Sequence, residues 1–340
     1  MKPLLIAAFA CSFIATHATT CSPIESSWQH EGYLVVANQQ DGNAELIDLK
    51  LGKSIKKIPT GVGPHEVAVS LDGKTAIVTN YGTGQVMGNS LTIVSLPSGE
   101  VVKTVDLGKY TRPHGAAWLD KDRAIVTSET TQNVVIVNIT KAEVERAIST
   151  GNPGSHMLAL PADKKRVFTA NVPAANVSAI DLETFTKTGD VAAAAGSEGL
   201  AVSPDGTRVI TGNLSGSITI IDAKNMKPLV TLECPGSPYR AAFSPDGKTA
   251  YVPNPKGGEL VVVDVEKLTI SKRISTVKDP NDPAGPPAGP TGVFINPNGK
   301  WAYVSLAGAT SIGIIDLAKG EVVARILVGK SPDGVGFSKG

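Results

Sequence analysis

Three histidines share one local context. In "GPHE", "RPHG" and "GSHM", His65, His114 and His156 each sit just ahead of a short apolar run, and the next stretch of the same kind, "GSEG", puts Glu198 in that place. Imidazoles with a carboxylate suit Zn, Fe, Cu or Ni, depending on geometry. The chain has only five histidines, and the other two stand outside the pattern, His17 near the start and His30 ahead of the first apolar strand. Chemistry at the three therefore requires a fold that brings successive copies of one motif together.

The copies continue. Aligned on His65, the chain returns "RPHGAAWLDKDRAIVTSE", "GSHMLALPADKKRVFTAN", "GSEGLAVSPDGTRVITGN", "SPYRAAFSPDGKTAYVPN", "GPTGVFINPNGKWAYVSL" and a truncated "SPDGVGFSKG". The equivalent positions are His65, His114, His156, Glu198, Tyr239, Thr291 and Asp333, about 41 or 42 residues apart except where loops are longer. A period of this size with several short strands per unit indicates a β-propeller. In one unit four strands are expected, over residues 66–70, 75–79, 91–95 and 101–105, with the Asp72-Gly73 pair turning the first into the second. The last copy has a first strand only, whereas the N-terminal stretch supplies three strands without a first. The expectation is an all-β, seven-bladed propeller in which residues 33–60 and 333–338 share one blade, so that no sheet edge is left open at the seam.

Residues 1–18, "MKPLLIAAFACSFIATHA", have a lysine, an apolar run and small residues before "TT", the pattern of a secretory signal peptide. The expected division is a signal peptide over 1–18, an N-terminal tail over 19–32 and the propeller over 33–340, in a periplasmic or secreted protein. No apolar run reaches the roughly 20 residues needed to span a bilayer. Beyond residue 18, Cys21 and Cys234 allow at most one disulfide, and two cysteines so far apart do not make a disulfide framework.

The second-strand segments "VAVSLDGKTAIVTNYG", "LAVSPDGTRVITGN" and "AAFSPDGKTAYVPN" resemble the repeat of the YVTN-type propeller family over nearly the whole chain after residue 18. That resemblance implies the propeller but little chemistry, since the family spans surface-layer and periplasmic proteins, nucleic-acid binders and relatives of quinoprotein subunits.

In a propeller the seven equivalent positions ring one mouth of the central channel, so His65, His114, His156 and Glu198 are the candidate metal ligands. Shared ancestry of the blades, with a polar residue simply lining the loop, is the competing explanation. A second ring, Asn38, Asn80, Ser128, Asn171, Asn213, Asn254 and Leu306, closes the second strands on the same face. Asparagine there suits tight turns and backbone capping, and Asn80 and Asn171 are also candidate ligand-binding residues with Glu129, Tyr239, Arg240 and Asp333. Arg240 suits either an anionic ligand or an acidic neighbour. The stretches 80–90 and 278–290 are longer than their counterparts, which is where binding residues concentrate.

With 32 Lys+Arg against 31 Asp+Glu and 5% aromatics, neither a nucleic-acid face nor an anionic-membrane surface is expected. The chain has no nucleophile elbow, P-loop, dinucleotide fingerprint or CxxCH, so those chemistries have no support. Two functions from different classes remain. One is a module that binds a small molecule or a protein through the channel mouth, with or without a transition metal. The other is a metal-dependent lyase, hydrolase or oxygenase using the His/Glu set.

Overall fold

A computed structural model describes residues 30–277 and 288–340. The expected signal peptide, Cys21 and most of the Pro-rich stretch 278–290 lie outside them. Seven four-stranded antiparallel sheets form the blades of a β-propeller. Blade 1 joins Pro332–Ser338 to Tyr33–Asn38, Asn43–Asp48 and Lys53–Pro59. Blades 2 to 7 occupy residues 64–106, 113–149, 155–192, 197–233, 242–275 and 290–327. The seam is where the truncated copy places it, with Tyr33 opposite Ser338 and Val36 opposite Val335. No helix among the described residues is long and apolar enough to cross a membrane.

Burial follows the strand's place in the blade. Second and third strands carry an apolar middle between polar ends and are buried on both faces, as in Arg123–Ser128 and Asn133–Asn138, because each is covered by a neighbouring blade on either side. Outer strands such as Lys53–Pro59 alternate between exposed and partly covered residues, the period-two pattern of a half-buried strand. The core therefore lies between blades. Leu34 and Ile47 of blade 1 pack with Tyr303, Ile312 and Ile326 of blade 7, while Val35 and Leu46 pack with Ala76 and Val94 of blade 2. Burying each large aliphatic side chain contributes roughly 1.5–3 kcal/mol, so contacts between blades hold the ring shut.

In blade 2 the expected second and third strands prove longer. The stretch 80–90 extends them as a hairpin, Thr75–Gly82 against Met87–Ser95, with Gly82 opposite Met87. Blade 6 departs the other way, its inner strand reduced to Ala242–Phe243.

The inner strands share an irregularity at the point that matters for function. In blade 2, Pro64 pairs with Asn80 and Val67 with Val78, so three steps on the inner strand match two on its partner. The same break occurs between Pro113 and Ala116, between Ser155 and Leu158, and between Ser197 and Gly199. One extra residue per strand is a β-bulge, which bends the strand and re-aims a side chain. The bulged N–H groups are recaptured by threonines of the second strand: Glu66 and Gly115 each donate to Thr79 and Thr127 Oγ1 at 2.9 Å.

Candidate functional site at the propeller axis

The bulges turn His65, His114, His156 and Glu198 inward from four successive blades, and the inner strands approach closely enough for these side chains to touch. A Cβ on Gly199 would lie 1.9 Å from the Tyr239 carbonyl oxygen, and one on Gly334 2.5 Å from that of His65. Only glycine lets backbone meet backbone at those two places.

Side chains from all but one blade then form a chain of contacts round the axis. The Tyr81 hydroxyl donates to Glu129 Oε2 at 2.7 Å. Glu129 Oε2 lies 3.3 Å from His156 Nδ1, and His156 Nε2 lies 2.6 Å from Glu198 Oε1. Glu198 Oε1 accepts from Arg240 Nη1 at 2.9 Å, and Arg240 Nε donates to Glu66 Oε1 at 2.7 Å. Arg240 Nη2 stands 3.5 Å from Asp333 Oδ1, and Asp333 Oδ2 is 3.8 Å from His65 Nε2. His65 stacks on Tyr81, ring centres 4.4 Å apart, which closes the chain. The Gln39 amide nitrogen lies 2.7 Å from His65 Nε2, and Arg112 covers the ring of Tyr81 at 4.7 Å.

His114 stands among these groups without joining them. It is fully buried, its ring centre 4.8 Å from that of His65 and 3.6 Å from that of His156. Neither Nδ1 nor Nε2 has a hydrogen-bond partner among the described residues.

Protonation follows from these partners. Both nitrogens of His156 face carboxylates, so both donate; burial opposes the charge, yet Glu198 and Glu129 raise its pKa to about 9. Burial also works against the Glu198 carboxylate, but His156 and Arg240 hold it well below the usual range. Burial raises Glu66 despite the opposing pull of Arg240. Burial lowers His65, and lowers His114 further, with the charged His156 adding to the effect. His65 and His114 are therefore neutral imidazoles close to a charged one.

The structure thus gathers His65, His114, His156, Glu198, Glu129, Tyr239, Arg240 and Asp333 at one end of the axis. Tyr239 places its ring 4.4 Å under the Arg240 guanidinium, and Arg240 takes the acidic neighbours rather than presenting a free cation. Asn80 and Asn171 lie behind the cluster with their amides engaged locally. Asn80 Oδ1 accepts from Gly61 N at 3.0 Å and its Nδ2 reaches Ser90 and Thr92, while Asn171 Nδ2 reaches Asn176 and Ser178. Among the described residues no three His, Cys, Asp or Glu side chains already stand in metal-binding geometry. The His156 nitrogens face carboxylates instead of a shared point.

Besides Arg112 over the ring of Tyr81, two participants escaped sequence reading, Gln39 and Tyr81. Both occupy the position of Glu129, one residue past the second-strand ring that contains Asn38, Asn80 and Ser128. The other blades have Val172, Leu214, Pro255 and Ala307 there, so comparing that column across the repeat would have singled out Gln39, Tyr81 and Glu129 together.

No family model matches the chain. No curated protein matches it either. Among solved structures, one titled Kuenenia stuttgartiensis Hydrazine Synthase superposes with a TM-score of 0.69 at 19% identity, covering 91% of this chain and 99% of that one. A protein of unknown function from Desulfotomaculum acetoxidans DSM 771 superposes with a TM-score of 0.74 at 16% identity, covering 90% and 99%. At these identities the likeness concerns the propeller fold alone.

Proposed function

We propose that this protein is an exported propeller of the YVTN-repeat type that acts as a binding module, taking a small ligand at the axial cluster. His114 is the observation that carries this reading. A neutral imidazole has one donor and one acceptor, and leaving such groups buried and unpaired costs about 1–3 kcal/mol each. Most of the surrounding polar groups are paired with one another, and apart from Arg240 Nη2 and Asp333 Oδ1, which face each other at 3.5 Å, the unpaired hydrogen-bonding capacity at the axis lies on the two nitrogens of His114. Export is supported by the leader-like pattern of residues 1–18.

Native mass spectrometry of untagged protein from its own host tests the assignment. The wild type should carry a stoichiometric non-covalent adduct that His114→Phe, which keeps the ring and loses the nitrogens, does not carry. A bare wild-type mass, or an adduct retained in full by the variant, would overturn it. A metal-dependent enzyme is the second reading, favoured by three neighbouring imidazoles, with the His114 ring centre 3.6 Å from that of His156 and 4.8 Å from that of His65; it requires turnover in addition to binding.

A further inference from the structure

We infer that the ligand of the axial cluster is a divalent transition-metal ion, held by ring nitrogens of His65 and His114 and by the carboxylate of Asp333. The inference rests on the binding role proposed above and narrows it to one chemical class.

Three observations lead there. First, the rings around His114 are already at contact distance, 3.6 Å to His156 and 4.8 Å to His65 between centres. An organic molecule would have to spread them, whereas a single ion requires only that two rings turn their nitrogens toward a shared point. Second, the unpaired atoms match. An imidazole bound through nitrogen at about 2.0–2.1 Å has its ring centre roughly 3 Å from the ion, so two such rings at a tetrahedral angle stand about 5 Å apart. His65 and His114 are 4.8 Å apart at 74° between planes. Neither nitrogen of His114 has a hydrogen bond to lose, and Asp333 Oδ1 has none either, its one charged partner being Arg240 Nη2 at 3.5 Å. Third, the charge is complementary. Glu129, Glu198 and Asp333, with Glu66, whose carboxyl pKa is pushed up by burial, place four carboxyl groups round the axis, against the Arg240 guanidinium, the doubly hydrogen-bonded ring of His156 and, over Tyr81, Arg112. An added cation offsets the excess of acceptors. Nitrogen donors select transition metals over magnesium or calcium.

This ligand set differs from the one the repeat suggests. His156 and Glu198 bind each other and Arg240, so they hold the wall in place and Asp333 replaces them at the ion. His65 and His114 must turn to bring their nitrogens together, His65 exchanging the Gln39 amide for the metal. Three protein donors leave one coordination position for water or another small ligand.

The test uses untagged mature protein stripped with a chelator and titrated with Co2+ and Zn2+, read by visible absorption and calorimetry, with circular dichroism confirming the fold of each variant. One equivalent of Co2+ should bind and develop d–d bands. His65→Ala and His114→Phe should each lose binding by at least 100-fold, and Asp333→Asn should weaken it by 10-fold or more. His30→Phe alters a buried histidine at Trp301 and Tyr303, away from the axis, and should bind as the wild type does. Absence of stoichiometric metal in the wild type, or full affinity in His114→Phe, overturns the inference. If native mass spectrometry then shows an organic adduct that depends on His114, the metal falls and the binding module stands; if it shows no adduct, both fall.

Discussion

The two ends of the blades solve different problems. At the end away from the histidines, the inner strand turns into the second strand by one device used repeatedly. Ser70, Ser203 and Ser244 each donate at 2.6 Å to Asp72, Asp205 and Asp246, whose Oδ1 also accepts a backbone N–H two residues on. Gly73, Gly206 and Gly247 follow with positive φ. The serine, the aspartate and the N–H that it caps all belong to one blade in each turn. At the axial end no blade is complete, since Arg240 needs Glu66 and Glu198, His156 needs Glu129, and His65 needs Tyr81. Residues that a blade requires for itself recur from copy to copy; residues that matter only where all the blades meet differ from one copy to the next.

Removing residues 331–340 should break both the seam and the cluster, because it strips the inner strand of blade 1 and Asp333 together. The exposed edge of Tyr33–Asn38 should cause aggregation and loss of a single cooperative unfolding transition; unchanged calorimetric melting would show that the seam is dispensable. Arg240→Met should be the costliest point change at the axial end, since Glu66 is left buried without its cation and Glu198 keeps only His156, at about 3–5 kcal/mol. Equilibrium denaturation in urea measures it, and a loss below 1 kcal/mol would mean that the cluster relaxes.

A glycine pair tests the tightness of the ring. Gly199→Ala drives a methyl to within 1.9 Å of a carbonyl oxygen, while a methyl on Gly189, in an outer strand, meets nothing within 4 Å. The first should cost about 1–3 kcal/mol and the second should lie within about 0.5 kcal/mol of wild type. Equal melting temperatures for the two would contradict the close approach of inner strands.

The turns should give the smallest effect, and one that depends on pH. Hydrogen bonds from the three serines, with backbone N–H groups, hold Asp72, Asp205 and Asp246 below the ordinary aspartate value of 3.8. Because the folded values are the lower ones, the stabilisation is present above pH about 4 and is lost as pH falls through them. Asp72→Asn should cost at most about 1 kcal/mol at pH 7. Combined replacement of all three aspartates by asparagine should make stability less dependent on pH below about 4; an unaltered slope in acid would show that these turns contribute no linkage.

The fold was legible because a strand's role repeats, and the copies state it seven times over, including the incomplete one that reveals the seam. The convergence of His65, His114 and His156 was legible for the same reason. What each one does there was not. The direction in which a bulge aims its residue decides whether His156 meets Glu198 or a shared ion, and that depends on neighbours such as Glu66 and Arg240, 174 residues apart in sequence. The irregular inner strand of blade 6, which seats Arg240, breaks a pattern that the repeat leads one to expect. Gln39 and Tyr81 lie at a position where four blades carry apolar or proline residues, so their polarity stands out only when that column is read by itself.

The seam also governs how the molecule meets mechanical force. Tyr33 lies opposite Ser338, so the two chain ends leave the shared blade at the same end of its ladder. Tension applied between them would part the backbone bonds one after another from that end, as a zipper opens, instead of loading them all in shear. Thermal resistance drawn from contacts among all seven blades does nothing to prevent that peeling. A propeller of this construction is suited to attachment through one end, where its clasp carries no load, and poorly suited to serving as a taut link between two anchors.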